Sequence, residues 1–342
     1  MGSPPVALAS LWDPTGELPV WPSAANERSQ GVRRQPRRPT APPLPCVAPR
    51  SEADGETLRG VTLIPRISVL IVSYNTRELL LEAIGSVIDE AGVEVIVADN
   101  GSSDGSVEAV ASRFPSVRLV RSAINLGFAG GVNRAAECAR GRAQLVLNSD
   151  ARLEPGALDA LLELLDRMPK AAMVAPALRY TDGRPQPAAF KFPGLAQLAM
   201  DLFPVDRLAD SKLNGRIHAK APASIDHPLG ACMLIRRSAW EAVGPLDEGY
   251  FMYLEEVDWC RRARLKGWQI WHHPGAVAVH HGGSSTRQHA DAMFVQLWRS
   301  RLRYYTRFHG LFYNRVVHAL VRVGLRRRGA DPALDAVRRL AS

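Results

Sequence analysis

The sequence predicts an α/β protein: a doubly wound half built on a parallel sheet, joined to a second half built on a mixed sheet. Three observations carry this. From residue 67 to 168, short β-branched runs alternate with stretches of helical spacing, the pattern of parallel βαβ units. The runs are apolar nearly throughout, as in strands buried on both faces. After Ala171 the strict alternation stops, so the parallel order is not expected to continue.

Residues 1–64 are rich in Pro, Arg, Ala and Ser, with RRQPRRPTAPPLP (33–45) at their centre. Such a segment cannot bury enough apolar surface to offset its ordering entropy, and it is predicted to be a disordered extension. ISVLIVSYN (67–75) is the first buried strand, and TRELLLEAIGSVID (76–89) follows with helical spacing. VEVIVADN (93–100), VRLVRS (117–122) and AQLVLNSD (143–150) are the next strands. The helices between them fall in DGSVEAVASRF and from about Ala129 to Ala139, and another follows over 155–168. AAMVAPALRY (171–180) reads as a strand, followed by a TDGRPQP turn and a long irregular stretch to about Ile225, within which DLFPVDRLADSKLNGRIHAKAP (201–222) reads as a mobile flap over the site. A strand over Gly230–Ile235 precedes a helix N-capped by Ser238. WQIWHHPGAVAVHH (268–281) supplies one more strand, with His272 and His273 expected in an exposed turn.

In an open α/β sheet, ligands bind at the carboxyl ends of the strands. Here those ends carry Ser73, Tyr74 and Asn75, then Asp99 and Asn100, then Asn125, then Asn148, Ser149 and Asp150. Asn and Asp suit turns and caps, which accounts for one or two of these positions but poorly for the whole set. No GxGxxG or Walker A loop follows the first strand, which disfavours nicotinamide, flavin and P-loop enzymes. The glycines come later, in NLGFAGGVNRA (125–135), where Gly127, Gly130 and Gly131 open a helix whose amides could approach a phosphate. A strand-end aspartate such as Asp150 is a natural anchor for Mg²⁺ or Mn²⁺ shared with a diphosphate.

The FMYLEEVDWC segment places Glu255, Glu256 and Asp258 at a helix start. Acids are favoured there by the macrodipole alone, but a carboxylate so placed can also serve as a general base.

Together VSYN, VADNGSSDGS, NLGFAGGVNRA, LNSDA, PLGACMLIRRSAWEAVG, DEGYFMYLEEVDWCRRARLKGW and AVHHGGSS resemble family 2 glycosyltransferases, more narrowly bacterial rhamnosyltransferase-like members, over roughly residues 66–310. The resemblance implies a glycosyltransferase A (GT-A) fold, with a Rossmann-like nucleotide-sugar half (65–150) and a mixed-sheet acceptor half (151–286). It implies a nucleotide-sugar donor, a divalent cation, Mg²⁺ or Mn²⁺, and inversion at the anomeric carbon. By position, Asp99 would accept the N3–H of uracil or thymine; Ser73, Tyr74 and Asn75 would line the base and ribose pocket; Asn133 would lie near the diphosphate. Asp150 matches the metal-binding acid, although Asn148 and Ser149 stand where the family often has a further acid. His280 matches a histidine at the metal, with His281 as the alternate. Glu256 matches the family's base, one methylene longer than the usual aspartate, and Asp258 competes for the role. The family's donor is dTDP-rhamnose first, or a UDP-sugar, and its acceptor a polyprenyl-linked or cell-envelope glycan.

The net charge of +9 is concentrated at the two ends. Residues 287–342 read as basic amphipathic helices, suited either to packing on their own domain or to peripheral contact with the inner face of the cell membrane. No apolar run is long enough to cross a bilayer, and the four cysteines form no CxxC pair, which fits a cytoplasmic protein. Nucleic acid is not expected as a partner. The rival readings are a nucleotidyltransferase acting on a sugar phosphate, whose Gly-rich basic loop is missing after the first strand, and a non-catalytic membrane or nucleic-acid binder using the basic ends.

Overall fold

The computed structural model describes residues 65–203, 212–282, 290–326 and 332–341. The predicted extension (1–64) and part of the predicted flap (204–211) lie outside the described residues.

The first half follows the expected alternation: β1 (Ile67–Ser73), α1 (Arg77–Gly85), β2 (Val93–Asp99), α2 (Ser106–Arg113), β3 (Arg118–Arg121), α3 (Gly127–Glu137), β4 (Ala143–Asn148). β1 lies between β2 and β4, parallel to both, and β3 pairs parallel with β2 on its outer side. Apolar residues cover both faces of β1. Val69 and Ile71 join one core cluster and Leu70 the other, which is why the strand reads as continuously apolar.

Beyond β4 come β5 (Ala151–Leu153), α4 (Ala157–Arg167), β6 (Ala171–Arg179), β7 (Pro185–Gln186), β8 (Ala189–Phe190) and α5 (Leu195–Leu202). These are followed by β9 (Ala223–Ile225), β10 (His227–Pro228), β11 (Cys232–Arg236), α6 (Arg237–Val243), α7 (Glu255–Leu265) and β12 (Gln269–His280). The main sheet runs β3-β2-β1-β4-β11-β6-β12-β5. β11 is antiparallel to both β4 and β6, so the sheet becomes mixed at that strand. β12 runs parallel to β6, is interrupted by a register shift between His273 and Val277, and ends antiparallel to β5.

Several expectations are corrected. Ser238 does not cap α6: Arg236, in extended conformation, holds the cap position, and Ser238 lies inside the first turn. His272 and His273 are not in a turn but inside β12, and His272 is buried. The stretch expected to be a turn and irregular chain contains β7, β8, α5 and β9, elements too short or too weakly patterned to read from sequence.

The C-terminal helices are α8 (Ala290–Phe308), α9 (Leu311–Arg326) and α10 (Pro332–Leu340). A boundary at residue 286 does not separate two cores. Trp298, Leu302, Tyr304 and Tyr305 of α8 share a buried cluster with Tyr250, Leu254 and Val257 around the start of α7, and with Leu198 and Leu202 of α5. Each fully buried side chain of this size contributes about 1.5–3 kcal/mol. The apolar face of α8 is therefore spent inside the protein.

Candidate active site

On the sheet's parallel side, Asp99 ends β2. Its Oδ2 accepts the backbone N–H groups of Gly101 and Ser102, each at 3.1 Å, while its buried Oδ1 has no hydrogen-bond partner among the described residues. One oxygen thus fixes the side chain and the other remains an acceptor. Asn75, in the left-handed region at φ 51° as asparagine tolerates, braces the same loop. Its N–H donates to Ser102 Oγ (3.0 Å), and its Oδ1 accepts from Ser103 N–H (2.8 Å). Ser73 Oγ lies 3.4 Å from Thr76 Oγ1, which donates to Ser149 Oγ at 2.9 Å, so a hydroxyl chain links the ends of β1 and β4. Tyr74 is half-buried beside them. Thr76, next to the SYN run, is a site-side hydroxyl that the sequence reading passed over.

Three expected donor-side groups have structural work instead. Asn100 donates its amide to Gly127 O (2.9 Å) and Asn125 Oδ1 (3.3 Å), tying down the turn before α3. Both polar atoms of Asn133 are engaged: Nδ2 donates to Leu246 O and Glu248 Oε1, each at 3.0 Å, and Oδ1 accepts from Leu246 N–H at 2.9 Å. The glycines at the start of α3 serve packing. Gly127 has φ +75°, and a Cβ there would lie 2.2 Å from Phe251 O; one on Gly130 would lie 2.8 Å from Leu126 Cβ. The N–H groups of Gly127 and Phe128 are donated to Asn125 Oδ1 (2.9 Å) and Phe251 O (2.8 Å). The glycine signal was real, but it reports a close approach of protein backbone.

At the mixed side, Asp150 leads into β5 while His280 ends β12, and the ladder sets them together. Ala151 pairs with His280, and His281 N–H donates to Asp150 O at 3.0 Å. His280 Nε2 lies 3.3 Å from Asp150 Oδ1, and its Nδ1 lies 3.0 Å from Gln186 Oε1. A proton on Nδ1, donated to that amide oxygen, leaves the Nε2 lone pair on the aspartate's side. His281 points elsewhere, with Nε2 3.8 Å from Glu82 Oε2. Asn148 Oδ1 is buried without a hydrogen-bond partner among the described residues. Asp150 and His280, the latter oriented by an outer amide, supply an oxygen and a nitrogen donor of the kind that Mg²⁺ or Mn²⁺ takes, and Asn148 offers a further amide oxygen from the end of β4. Among the described residues no group of three or more His, Cys, Asp or Glu side chains could hold a metal, so a diphosphate and water would have to complete the shell. Gln186, on a two-residue strand far from His280 in sequence, left no signal.

The third part is the start of α7. Tyr253 and Leu254 both adopt left-handed backbone, at φ 69° and 67°, a conformation that costs bulky residues about 1–2 kcal/mol each. This sharp entry puts Glu255, Glu256 and Asp258 in the first turn, and all three are buried. Their surroundings divide them. Asp258, wholly buried, accepts from Arg262 Nε at 2.7 Å and has Arg307 Nη1 3.1 Å from its Oδ2. Burial raises its pKa, opposed by those arginines. Among the described residues, Oε2 of Glu255, Oε2 of Glu256 and Oδ2 of Asp258 are each buried without a hydrogen-bond partner; what sets Asp258 apart is its ion pairs with Arg262 and Arg307. Burial, then the charge of Glu256, pushes Glu255 well above the usual range. Burial pushes Glu256 up to about 7, against the pull of the backbone amides of Glu256, Val257 and Leu254. A carboxyl near 7 is matched to proton transfer at neutral pH.

The two sides meet at Gly230-Ala231. Asn148 N–H donates to Ala231 O at 2.9 Å, and a Cβ on Gly230 would lie 3.5 Å from Glu256 Cδ. That distance is an ordinary van der Waals contact, so the Glu256 carboxyl lies directly against the Gly230 backbone.

Comparison with known proteins identifies the family and the fold. A model of glycosyl transferase family 2 matches residues 68–244. The chain is 33% identical over 273 residues to an N-acetylglucosaminyl-diphospho-decaprenol L-rhamnosyltransferase of Mycobacterium tuberculosis, covering 71% of this chain and 88% of that protein. A low-salt glycan biosynthesis hexosyltransferase of Haloferax volcanii is 26% identical over 223 residues, covering 64% of this chain and 68% of that one. Among solved structures, a mannosyltransferase from Pyrobaculum calidifontis in complex with GDP-Man and Mn²⁺ superposes with a TM-score of 0.53 at 19% identity, over 82% of this chain and 80% of that one. That likeness is one of fold.

Proposed function

Since the chain belongs to glycosyl transferase family 2 and has the glycosyltransferase A fold, we propose that it is an inverting glycosyltransferase moving a deoxyhexose, L-rhamnose before others, from a dTDP- or UDP-linked donor to a polyprenyl-diphosphate-linked glycan. The observation that carries the reading is the meeting of the two sides at Gly230-Ala231. There the strand end leading to Asp150 is hydrogen-bonded to the backbone that lies beneath the Glu256 carboxyl.

Asp99 Oδ1 accepts the imide N–H of the pyrimidine, and the braced loops at Asn75 and Ser102 hold that oxygen in place. Asp150, His280 and the Asn148 amide oxygen would hold the divalent cation. When bound, that ion neutralises charge on the donor's diphosphate. Glu256 accepts the proton of the acceptor hydroxyl. The hydroxyl oxygen forms its bond to the anomeric carbon from the face opposite the diphosphate, and the electron pair of the breaking C–O bond leaves with the nucleotide. Asp258, committed to two arginines, is the poorer base. General-base assistance of this kind contributes about 10²–10⁴-fold.

The rhamnose and the lipid-linked acceptor come from likeness to the mycobacterial enzyme. The assay is nucleoside diphosphate release and product formation across a panel of nucleotide sugars, with prenyl-linked acceptor, and with Mg²⁺, Mn²⁺ or chelator. Release of inorganic diphosphate from a nucleoside triphosphate would overturn the reading in favour of nucleotidyl transfer.

Among the described residues no helix is long and apolar enough to cross a membrane. Contact with an anionic cytoplasmic membrane face through α9 is supported by its outer stripe. Leu311 and Phe312 are 83% and 81% exposed, Arg315, Arg322 and Arg326 are exposed along the same helix, and its sequence contains no acid.

A further inference from the structure

The strap from Leu246 to Leu254 enters α7 through two left-handed residues, a conformation that persists only where its surroundings over-determine it. On one side α3 holds it, through Asn133 at Leu246 and Glu248 and through Phe128 N–H at Phe251 O. On the other side α8 holds it. Ser300 Oγ donates to Met252 O at 2.8 Å. Arg303 Nη2 contacts both oxygens of Asp247, at 3.1 and 2.8 Å, and its guanidinium lies over the Tyr250 ring at 5.1 Å. Arg307 Nη1 is shared, pairing with Asp247 at the strap's start and with Asp258 Oδ2 in the first turn of α7. Arg262 completes the cluster from α7 itself, donating to Asp258 and to the carbonyls of Val243 and Pro245.

We propose that Arg307, seconded by Arg303, is a positioning residue for glycosyl transfer: by joining Asp247 to Asp258 it closes the strap and fixes the direction in which the neighbouring Glu256 carboxyl is presented. The inference rests on the assignment of Glu256 as the base. Among the described residues the charged partners of Arg307 are Asp247 and Asp258 and none is a donor-side group, so its effect has to pass through the first turn of α7. The buried Asp258 makes the coupling tight. A wholly buried carboxylate that loses one of two arginines must move, protonate or draw in water, and each of these displaces the helix start.

The test is kinetic, on the full-length enzyme with a prenyl-linked acceptor. Arg307→Ala is expected to lower kcat about 10- to 100-fold with donor KM within about twofold of wild type, and Arg307→Lys to restore at least half of the lost activity on a logarithmic scale. In a Glu256→Gln background, Arg307→Ala is expected to add no further loss, because a residue acting only through Glu256 has nothing left to position. If Arg307→Ala does not fold, Arg303→Gln, which keeps the Arg307 pairs, serves in its place with an expected kcat loss of about three- to tenfold and the same epistasis. Wild-type kcat in folded Arg307→Ala, a matching rise in donor KM, or a further loss in the double variant overturns the proposal. If Glu256→Gln itself keeps wild-type turnover, the base assignment fails as well. If Glu256→Gln is inactive while Arg307→Ala is normal, the positioning role alone fails.

Discussion

Replacing Glu256 by Gln is expected to trade activity for stability, with a pH dependence that identifies the cause. The side chain is buried, and burial raises its pKa to about 7 from the ordinary 4.5. Between those values the folded protein holds a proton that the unfolded chain has released, so stability is fully present below 4.5 and falls as pH rises through about 7. At about 1.36 kcal/mol per pH unit, ionising the group in place costs on the order of 3 kcal/mol by pH 8. The Glu255 carboxyl beside it is also pushed upward by burial and titrates together with it, so about 1–3 kcal/mol is the working range. Glutamine keeps the shape and never ionises. Glu256→Gln should therefore unfold at nearly the wild-type denaturant midpoint at pH 5 and be more stable by about 1–3 kcal/mol at pH 8. Over the same span wild-type kcat should rise with a midpoint near pH 7, while the variant loses about 10²–10⁴-fold at pH 8. Urea titrations at the two pH values, beside the rate profile, measure both quantities. Equal stability differences at pH 5 and pH 8, or a variant as active as wild type, would refute the argument.

Asp99→Asn presents an N–H either to the pyrimidine imide or to the Gly101 and Ser102 amides, so donor KM should rise about 10- to 100-fold with little change in stability, as read by nucleotide-binding calorimetry and circular dichroism. Gln186→Leu removes the outer partner of His280 and should weaken the apparent Mn²⁺ affinity about 10- to 100-fold, followed by titrating the cation against activity and by direct Mn²⁺ binding. The double change Leu311→Ser, Phe312→Ser should reduce co-sedimentation with phosphatidylglycerol vesicles at least tenfold while leaving turnover on a detergent-dispersed acceptor unchanged; unchanged sedimentation would remove α9 as the membrane contact.

The parallel half was legible because each of its strands is long enough for a buried apolar run to stand out, and because strand ends collect polar residues for a reason the sheet geometry supplies. Asp99, Asp150, His280 and Glu256 could be named on those grounds and on family resemblance. Asn133 and the glycines of α3 carried equally loud signals with a different cause. An asparagine that satisfies three backbone or carboxylate partners, and a glycine pressed against Phe251 O, look in sequence like a phosphate cradle. Gln186 and Arg307 were silent because their partners lie 94 and 60 positions away, and nothing local announces a tertiary hydrogen bond. Of the two arginines on Asp258, Arg262 stands four residues along its own helix, while Arg307 comes from α8 and left no local signal.

The ladder that joins β5 to β12 limits how this chain can change length. Ala151 faces His280, so the imidazole reaches Asp150 only while β12 keeps its present phase. Adding or deleting one residue between Val277 and His280 would turn His280 to the Glu82 side and bring a neighbour with different chemistry to Asp150. The irregularity between His273 and Val277 lies upstream of that stretch, where pairing with β6 is already broken, and an extra residue there can be absorbed as a larger bulge. Insertions and deletions near this end of the strand should thus be confined to the bulge, with residues 277–280 holding constant length among functional descendants.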